Sequence, residues 1–498
     1  MNMTLVDFMP FIVLIPLIVS AIVALLPGRT LPWAVTLTAA LASAVIASLV
    51  LPVAVTGTEL SYPFGNWPPP FGIEYRVDAA NAFVALLVAG MAAITLLWAP
   101  KSVAVEIDGR HGTFYALFLL ALAGLLGITL TGDAFNIFVF LEISSLATYT
   151  LIAYGRDRRA LLAAFRYLIM GTVGATFLLI GIAFLYMVTG TLNMADLAER
   201  LPELRDNNAV RAALAFIIVG MGLKLAMMPL HLWLPNAYAY APNFVTIFLA
   251  GTATKVALYV MLRFIFTVFA PDYSFVVLPL STVLMVLAVA GMFAGSWVAM
   301  FQIHMKRMLA YSSVAQVGYM VLGVSLATLT GLTAAFLHLF NHALIKTALF
   351  MAIGCVMYRT GSAKLDDLRG LGRQMPWTLT AFALAGLSII GVPTTAGFIS
   401  KWYLVLASVE AGAWWLVALV VITSMMAVYY IWRVIEAAWF SDRPSGAALV
   451  REAPLGLLIP TWFVVALNFY FGLDTRLTVG AATAAAEALM GTGGGMLP

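Results

Sequence analysis

The sequence predicts an all-α polytopic membrane protein, and three observations lead to that fold class. The 498-residue chain is 63% hydrophobic and only 10% charged, whereas a soluble protein carries about 25% charged residues. Its apolar runs reach about 20 residues, the length that an α-helix needs to cross a bilayer. The strands of membrane β-barrels alternate apolar and polar residues, and these runs do not alternate. A bundle of membrane-spanning helices is therefore expected.

Hydropathy and helix-breaking residues divide the chain into about 14 predicted spans. Asp7 precedes the first apolar run, and no basic segment or small-residue cleavage site accompanies that run, so we interpret it as a mature span rather than a signal peptide. A disordered Ala/Gly-rich tail is expected after Ala481. The predicted spans are 8–27, 32–56, 79–98, 113–131, 134–154, 163–188, 210–234, 243–269, 274–299, 308–326, 330–358, 377–406, 412–440 and 453–474.

The basic residues between these spans are distributed unevenly. Connections that follow even-numbered spans contain only Arg76, Arg200, Arg205 and Arg211, and acidic residues surround the last three. Connections that follow odd-numbered spans contain far more: Arg29, Lys101, Arg110, Arg156, Arg158, Arg159, Lys306, Arg307, Arg359, Lys364, Arg369, Arg373, Arg443 and Arg451. Because basic loops stay in the cytoplasm, both termini are predicted on the outer side of the cytoplasmic (inner) membrane.

Two predicted spans contain helix breakers. Span 7 includes Pro229, and span 12 includes Gly391 and Pro393. Proline removes a backbone donor and clashes with the preceding turn, so both helices should be broken within the membrane. Broken helices at corresponding positions of two halves are typical of inverted-repeat transporters. For each span, the alternative to a broken helix is a simple proline kink. A lysine lies near each of the two predicted breaks, which favours the broken helix.

The breaks predict two inverted repeats of five helices each, spans 4–8 and spans 9–13. The resulting organisation has four segments. They are the N-terminal helices (1–110), the first repeat (111–270), the second repeat (271–440), and the last span with the C-terminal tail (441–498).

Eight ionisable side chains fall within the predicted spans, where a charge costs about 2.5–3.5 kcal/mol on insertion scales. Glu142 of span 5 is expected to pair with Lys224 of span 7, either in a working site or as a static salt bridge. His338, His342 and Lys346 follow each other at intervals of four residues, so they share one helical face. The full set is Glu142, Lys224, His231, Lys255, His338, His342, Lys346 and Lys401.

These residue types suggest a chemistry. Glu, Lys and His exchange protons with internal water and form the relays of membrane pumps, so the sequence predicts proton translocation coupled to another process. Asp133, at the start of span 5, is either a helix cap or an accessory to the path. A single cysteine, Cys355, excludes an iron–sulfur cluster held by this chain alone and a Cys-based zinc site. We therefore predict no cofactor and no metal, and a net charge of +4 does not suggest nucleic acid.

Five motifs, in this order, resemble the antiporter-like proton-channel subunits. That family includes the large membrane subunits of respiratory complex I, their relatives in membrane-bound hydrogenases, and the Mrp cation/proton antiporters. The resemblance covers roughly residues 65–440. The motifs are GDAFNIFVFLEISSLATY (132–149), MPLHLWLPNAYAYAP (228–242), KRMLAYSSVAQVGY (306–319), HLFNHALIKTALF (338–350) and GVPTTAGFISKW (391–402).

The resemblance implies 14 helices with two inverted five-helix repeats, and it implies roles for the buried charges. Glu142 and Lys224 match the paired charges of the first half-channel, and Lys255 matches the connecting lysine. His338, His342 and Lys346 match the central hydrophilic axis. Lys401 matches the ionisable residue of the second broken helix.

The segment GNWPPPFGIEYRVD (65–78) resembles the D-type subunits of Mrp antiporters, and Lys401 also fits that subfamily. The expected function is thus the proton-translocating component of a multi-subunit Na⁺(Li⁺/K⁺)/H⁺ antiporter, a transporter component rather than an enzyme. The expected partners are other membrane subunits, protons, monovalent cations and lipid. A proton-pumping component of a complex I-related quinone reductase or a membrane-bound hydrogenase is the alternative, and a non-conducting scaffold is a third.

Overall fold

The computed structural model describes residues 5–445 and 448–491. Within these ranges it has 13 helices long and apolar enough to cross a membrane. Long apolar segments form helices because lipid offers no partner to backbone N–H and C=O groups, which must bond within the segment. Span 12 is divided by a break, and its first half is the shorter apolar helix Pro376–Ile390. The 14 predicted spans are thereby all accounted for.

The helices are, in chain order, α1 (Leu5–Phe8), α2 (Phe11–Leu25), α3 (Thr30–Val55), α4 (Ala79–Glu106), α5 (His111–Leu130), α6 (Ala134–Ala153), α7 (Arg159–Thr189), α8 (Met194–Arg200), α9 (Asn208–Leu225), α10 (Leu234–Tyr240), α11 (Asn243–Gly251), α12 (Ala253–Leu262), α13 (Leu280–Met300), α14 (Met305–Ser325), α15 (Leu329–Thr360), α16 (Pro376–Ile390), α17 (Ala396–Glu410), α18 (Trp414–Ile435), α19 (Leu455–Leu473) and α20 (Arg476–Met490). Short 3₁₀ turns cover Phe64–Asn66, Leu201–Leu204, Leu365–Leu368 and Leu371–Arg373, and π-helical turns cover Arg263–Val268, Asp272–Val277 and Glu436–Phe440. One antiparallel hairpin pairs β1 (Leu60–Pro63) with β2 (Glu74–Val77), with Leu60 opposite Val77.

Both expected helix breaks are present. Span 7 consists of α9 and α10, which the segment Ala226–Trp233 connects, and Pro229 lies in that segment. Span 12 consists of α16 and α17, and Pro393 lies in the segment between them. Each broken span is the fourth of its predicted five-helix repeat. The residue boundaries of the four predicted segments remain a prediction.

Two local expectations were wrong. Span 8 is also broken, because Thr252 leaves the helical region (φ −127°, ψ −59°) between α11 and α12. The tail does not become irregular at Ala481, because α20 continues to Met490. Alanine is the best helix former, and Ala482, Ala485 and Ala486 are buried against the bundle, which stabilises this helix.

The connections between spans alternate between the two ends of the bundle, as predicted. Glu59, Phe275, Thr328 and Glu410, from the connections after spans 2, 8, 10 and 12, line one cavity together with the end of α20. We call this the even-loop end. At the other, odd-loop end, His304 and Lys364 form a β-bridge. Which end faces the cytoplasm remains a prediction.

The centre of the bundle is formed by α11, α12, α14 and α15. The apolar windows of spans 8, 10 and 11 are each 94% buried, whereas those of α7 and α13 are 39% buried. The four central helices carry Lys255, His338, His342 and Lys346. Four of the eight predicted ionisable residues therefore lie where the bundle excludes lipid most completely.

Candidate functional site

Lys224 is held at the end of the first half of span 7 by neutral groups. It is the last residue but one of α9 and is buried. Its Nζ donates hydrogen bonds to Ser145 Oγ at 2.7 Å and to Tyr149 OH at 3.3 Å, both on α6. The ammonium group is therefore anchored by hydroxyl groups, which can both donate and accept hydrogen bonds.

The expected direct ion pair between Glu142 and Lys224 is not formed. None of the nine ion pairs within 4.0 Å among the described residues includes a lysine. Glu142 lies between Val139 (37% exposed) and Leu146 (55% exposed) on α6. Its side chain thus starts at the outer edge of the bundle, whereas Ser145 faces inward.

Glu142 nevertheless has a buried oxygen that needs a partner. Its Oε1 atom is inaccessible to solvent and has no hydrogen-bond partner in the part of the chain that the structure describes. An unsatisfied buried carboxylate oxygen is costly. This oxygen therefore requires a hydrogen-bond donor that the described residues do not supply.

A small cavity adjoins Lys224. It has a volume of about 30 Å³, and its wall includes Ser144, Ser145 and Thr148 of α6 and Ala253 and Val256 of α12. A water molecule needs about 10–15 Å³ of such volume and two to four polar partners. The cavity has room for two waters, and it extends from Lys224 towards α12, the helix of Lys255.

Lys255 lies directly after the unexpected break in span 8. Its side chain is fully buried, and its Nζ donates hydrogen bonds to the carbonyl oxygen of Ala250 and, at 3.4 Å, to Thr254 Oγ1. The last carbonyl groups of a helix lack intrahelical partners. The Lys255 ammonium thus supplies a hydrogen-bond donor to the Ala250 carbonyl at the end of α11, where the backbone is broken.

The stripe of His338, His342 and Lys346 on α15 contains one fixed and one free imidazole. His338 bonds to Ser400 Oγ through Nδ1 and to Gln316 Oε1 through Nε2, both at 2.9 Å. His342 stacks on His338 with ring centroids 6.1 Å apart, yet neither of its buried nitrogens has a partner among the described residues. Both ring nitrogens of His342 are therefore left available for hydrogen bonding in the described chain.

Lys346 continues this stripe to α14. Its Nζ donates hydrogen bonds to the carbonyl oxygen of Leu309 at 2.7 Å and to Ser312 Oγ. Its side chain is fully buried. As at Lys224, the partners are neutral oxygen atoms.

Lys401 occupies the second broken span and bridges its two halves. Its Nζ donates hydrogen bonds to the carbonyl oxygens of Ile389 and Ile390, each at 2.9 Å, and to Ser424 Oγ at 3.0 Å. The same ammonium lies 4.8 Å from the centre of the Tyr319 ring. Tyr319 in turn lies beside His338, with ring centroids 5.5 Å apart. Lys401 is thereby connected to the α15 stripe.

The remaining predicted residues have more local positions. Asp133 caps α6 by accepting a 2.7 Å hydrogen bond from the Asn136 backbone N–H, which is the helix-cap role that the sequence suggested. His231 lies in the connection after α9, edge-on to Tyr311, and its Nδ1 has no partner in the described chain. The indole of Trp233 donates a 2.8 Å hydrogen bond to Leu223 O and so closes the end of α9.

Sequence reasoning missed the hydroxyl and amide partners of the lysines and histidines. Most lie in motifs that the sequence already singles out, but Ser, Tyr and Gln are too common in helices to be selected by type alone. Lys306 was assigned to a loop, whereas it is buried in α14 and donates a 2.8 Å hydrogen bond to Ala241 O. The missed partners are Ser145, Tyr149, Ser312, Gln316, Tyr319, Ser400 and Ser424.

The architecture and the site together define an ion-translocating membrane subunit. Broken spans with buried ionisable groups near the break are typical of transporters. The chain belongs to the NADH:quinone oxidoreductase/Mrp antiporter membrane family, whose model matches residues 131–427.

Named relatives come from two kinds of complex. The chain is 46% identical over 449 residues to the N subunit of NADH-quinone oxidoreductase from Desulforudis audaxviator, with 89% of each chain covered. It is 30% identical to the D subunit of the Na⁺/H⁺ antiporter from Alkalihalophilus pseudofirmus, with 82% of each covered. Among solved structures, a chain of the Mrp complex from Dietzia sp. DQ12-45-1b superposes with a TM-score of 0.90 at 26% identity, with 98% of each chain covered.

These relationships establish the general identity of the protein. It is an antiporter-like, proton-translocating membrane subunit of the kind found in Mrp and complex I-related complexes. Such a protein acts together with other membrane subunits in the transport of protons and cations. The predicted family and fold class are confirmed.

Proposed function

We propose that this chain provides the proton path of an Mrp-type cation/proton antiporter and occupies the position of the D-type component. One observation carries the proposal: four buried lysines, Lys224, Lys255, Lys346 and Lys401, each bond to neutral oxygen atoms and form no ion pair in the described chain. A static role would favour a buried carboxylate partner, because an unpaired buried charge is costly. Neutral partners leave each amine able to lose and regain its proton.

The path would run in two halves that meet near α15. In the first half, a proton passes between Glu142, the hydroxyls of Ser145 and Tyr149, and Lys224, with the adjoining cavity supplying water. Lys255 connects this half to the α15 stripe. In the second half, His342, Lys346, His338 and Lys401 exchange protons, and Ser424 and Ser400 complete the hydrogen bonds.

Coupling to cation movement follows from electrostatics. When one lysine gains a proton, the next lysine along the line loses part of its affinity for a proton, because like charges repel strongly where water is excluded. A cation bound elsewhere in the complex would act on this line in the same manner. The antiporter assignment is supported by the similarity to the Alkalihalophilus antiporter chain and to the Dietzia Mrp chain.

The test is antiport by the complete complex reconstituted in vesicles that contain a pH-sensitive dye. Lys224→Ala and Glu142→Gln should each reduce Na⁺-driven proton movement to background while the complex still assembles. Asp133→Asn, which alters only the cap of α6, should retain most of the activity. Full antiport in the Lys224→Ala complex would overturn the proposed path.

A redox-driven complex is the second candidate, and the 46% identity to a component of an NADH-quinone oxidoreductase favours it. The proteins that co-purify with this chain distinguish the two. Iron–sulfur or quinone-reducing subunits, together with proton pumping that starts on addition of an electron donor, would replace the antiporter assignment. The proton path itself would then be tested by the same variants.

A further inference from the structure

A pocket with two arginines in its wall lies at the odd-loop end, away from the buried lysines. It has a volume of about 370 Å³ and is formed where the connection between α2 and α3 meets the connection between α4 and α5. Its wall includes Gly28, Arg29, Arg110, His111, Gly112 and Thr113, and the C-terminal end of α2 completes it. We call it the Arg29–Arg110 pocket.

Two helices begin at this pocket without a side-chain cap. Arg29 precedes α3 and Arg110 precedes α5, and neither makes a capping hydrogen bond. The first N–H groups of a helix have no intrahelical acceptor, and the helix dipole adds a partial positive charge there. Ser, Thr, Asp or Asn normally satisfies such groups, so an arginine at both positions leaves them without an internal acceptor.

The side chains add further donors without partners. In the described chain, Arg29 and Arg110 take part in none of the ion pairs, and both are exposed. His111 is 6% exposed and lines the pocket, and its Nε2 has no hydrogen-bond partner among the described residues. Arg29, Arg110, the first residues of α5 and His111 thus line one pocket. An anion bound there would supply acceptors for the arginines and for the N-terminus of α5.

Beside the pocket, the surface is strongly apolar. Leu25 is 85% exposed, and Ile22 and Leu31 are 51% and 50% exposed. These residues belong to the membrane-spanning helices α2 and α3, and no other described part of the chain covers them. A ligand that combines a phosphate with hydrocarbon chains would match both surfaces.

We propose that the Arg29–Arg110 pocket binds the phosphate of an anionic phospholipid, with its acyl chains against Leu25 and Leu31. Arginine suits this ligand because its planar guanidinium bonds two phosphate oxygens at once. Basic pockets between membrane helices are the expected sites for anionic headgroups. The site does not depend on the proposed proton path, since none of the path residues lines it.

The experiment measures binding of short-chain phosphatidylglycerol to the purified complex by native mass spectrometry. Arg29→Gln combined with Arg110→Gln should weaken binding about tenfold, because charge-assisted hydrogen bonds are lost. The matched control is Arg158→Gln with Arg373→Gln, which removes the same charge at the same end outside the pocket and should change binding less than about twofold. Equal losses in the two double variants would indicate diffuse charge attraction and overturn the proposal.

Two further measurements distinguish a lipid phosphate from free inorganic phosphate and test whether the shape of the guanidinium groups matters. Inorganic phosphate at millimolar concentration should leave phosphatidylglycerol bound, whereas complete displacement would identify a free-anion site and overturn the lipid assignment. The Arg29→Lys, Arg110→Lys variant keeps the charges but loses the bidentate geometry, so its affinity should be intermediate. Wild-type affinity in that variant would contradict recognition by the two guanidinium groups.

Discussion

Lys224 donates a 2.7 Å hydrogen bond to Ser145 Oγ, which joins α9 to α6. A hydroxyl, rather than the carboxylate of Glu142 one helical turn earlier, is therefore the immediate partner of this lysine. A serine can pass a proton along a hydrogen-bonded chain, because it donates one hydrogen bond and accepts others. On α6, the carboxylate thus belongs to Glu142, whereas the hydrogen-bond partner of Lys224 is Ser145.

Ser145→Ala should reduce transport several-fold without preventing assembly. The change removes the shorter of the two hydrogen bonds of Lys224 and a polar wall of the adjoining cavity, and it leaves a buried donor short of one acceptor at a cost of about 1–3 kcal/mol. Proton uptake into vesicles measures the loss. Thr150→Ala is the control, because Thr150 is exposed on the same helix and bonds only to Leu146 O. Equal activity of the two variants would refute a role for Ser145.

His342 and His338 should respond differently to substitution. His342→Phe removes no hydrogen bond seen in the described structure, so the thermal stability of the complex should change little while proton transport is lost. His338→Phe leaves Ser400 and Gln316 without their shared partner, so it should lower stability by about 1–3 kcal/mol as well as transport. Thermal unfolding in detergent and transport in vesicles separate the two effects. A stable, fully active His342→Phe complex would show that the free imidazole is not part of the path.

Most of the fold could be predicted from the sequence, because lipid requires continuous helices and proline interrupts them. All 14 spans and the breaks around Pro229 and Pro393 were found in this way. The break at Thr252 was not, since Gly251 and Thr252 are both tolerated inside membrane helices and carry no distinct signal. It forms where tertiary packing and Lys255 satisfy the freed carbonyl group of Ala250.

The charged members of the candidate site could also be predicted, because an ionisable residue within an apolar span is rare. Their partners could not, since contacts such as those of Lys401 with Ser424 and of His338 with Gln316 join separate helices. The Glu142–Lys224 pair was expected from charge alone. Only the rotation of α6, which directs Ser145 inward and Glu142 to the edge, decides which side chain Lys224 meets.

Lys401→Met should reduce both stability and transport. The substitution removes the donor for Ile389 O and Ile390 O, the carbonyls at the end of α16, and each unsatisfied buried carbonyl costs about 1–3 kcal/mol. The melting temperature of the complex in detergent should therefore fall by several degrees. Lys101→Met, at an exposed lysine of α4, is the matched control and should leave the melting temperature nearly unchanged. An unaltered melting temperature in Lys401→Met would mean that the broken helix is held by other contacts.

Acid should destabilise the odd-loop end through His304. Burial, together with the charges of Lys306, Arg307, Arg159 and Lys364, lowers the pKa of His304 from 6.5 to about 4. Between these values the unfolded chain binds more protons than the folded chain, so the contribution of neutral His304 to stability is complete above pH 6.5 and is lost as the pH falls towards 4.

The measurement is the melting temperature of the complex between pH 7 and pH 4. His304→Gln should show a shallower decrease over this range than the wild type, because its side chain does not titrate. Lys364→Gln removes one of the neighbouring positive charges and should give an intermediate slope. If the wild type and His304→Gln lose stability in parallel, other groups govern the acid response.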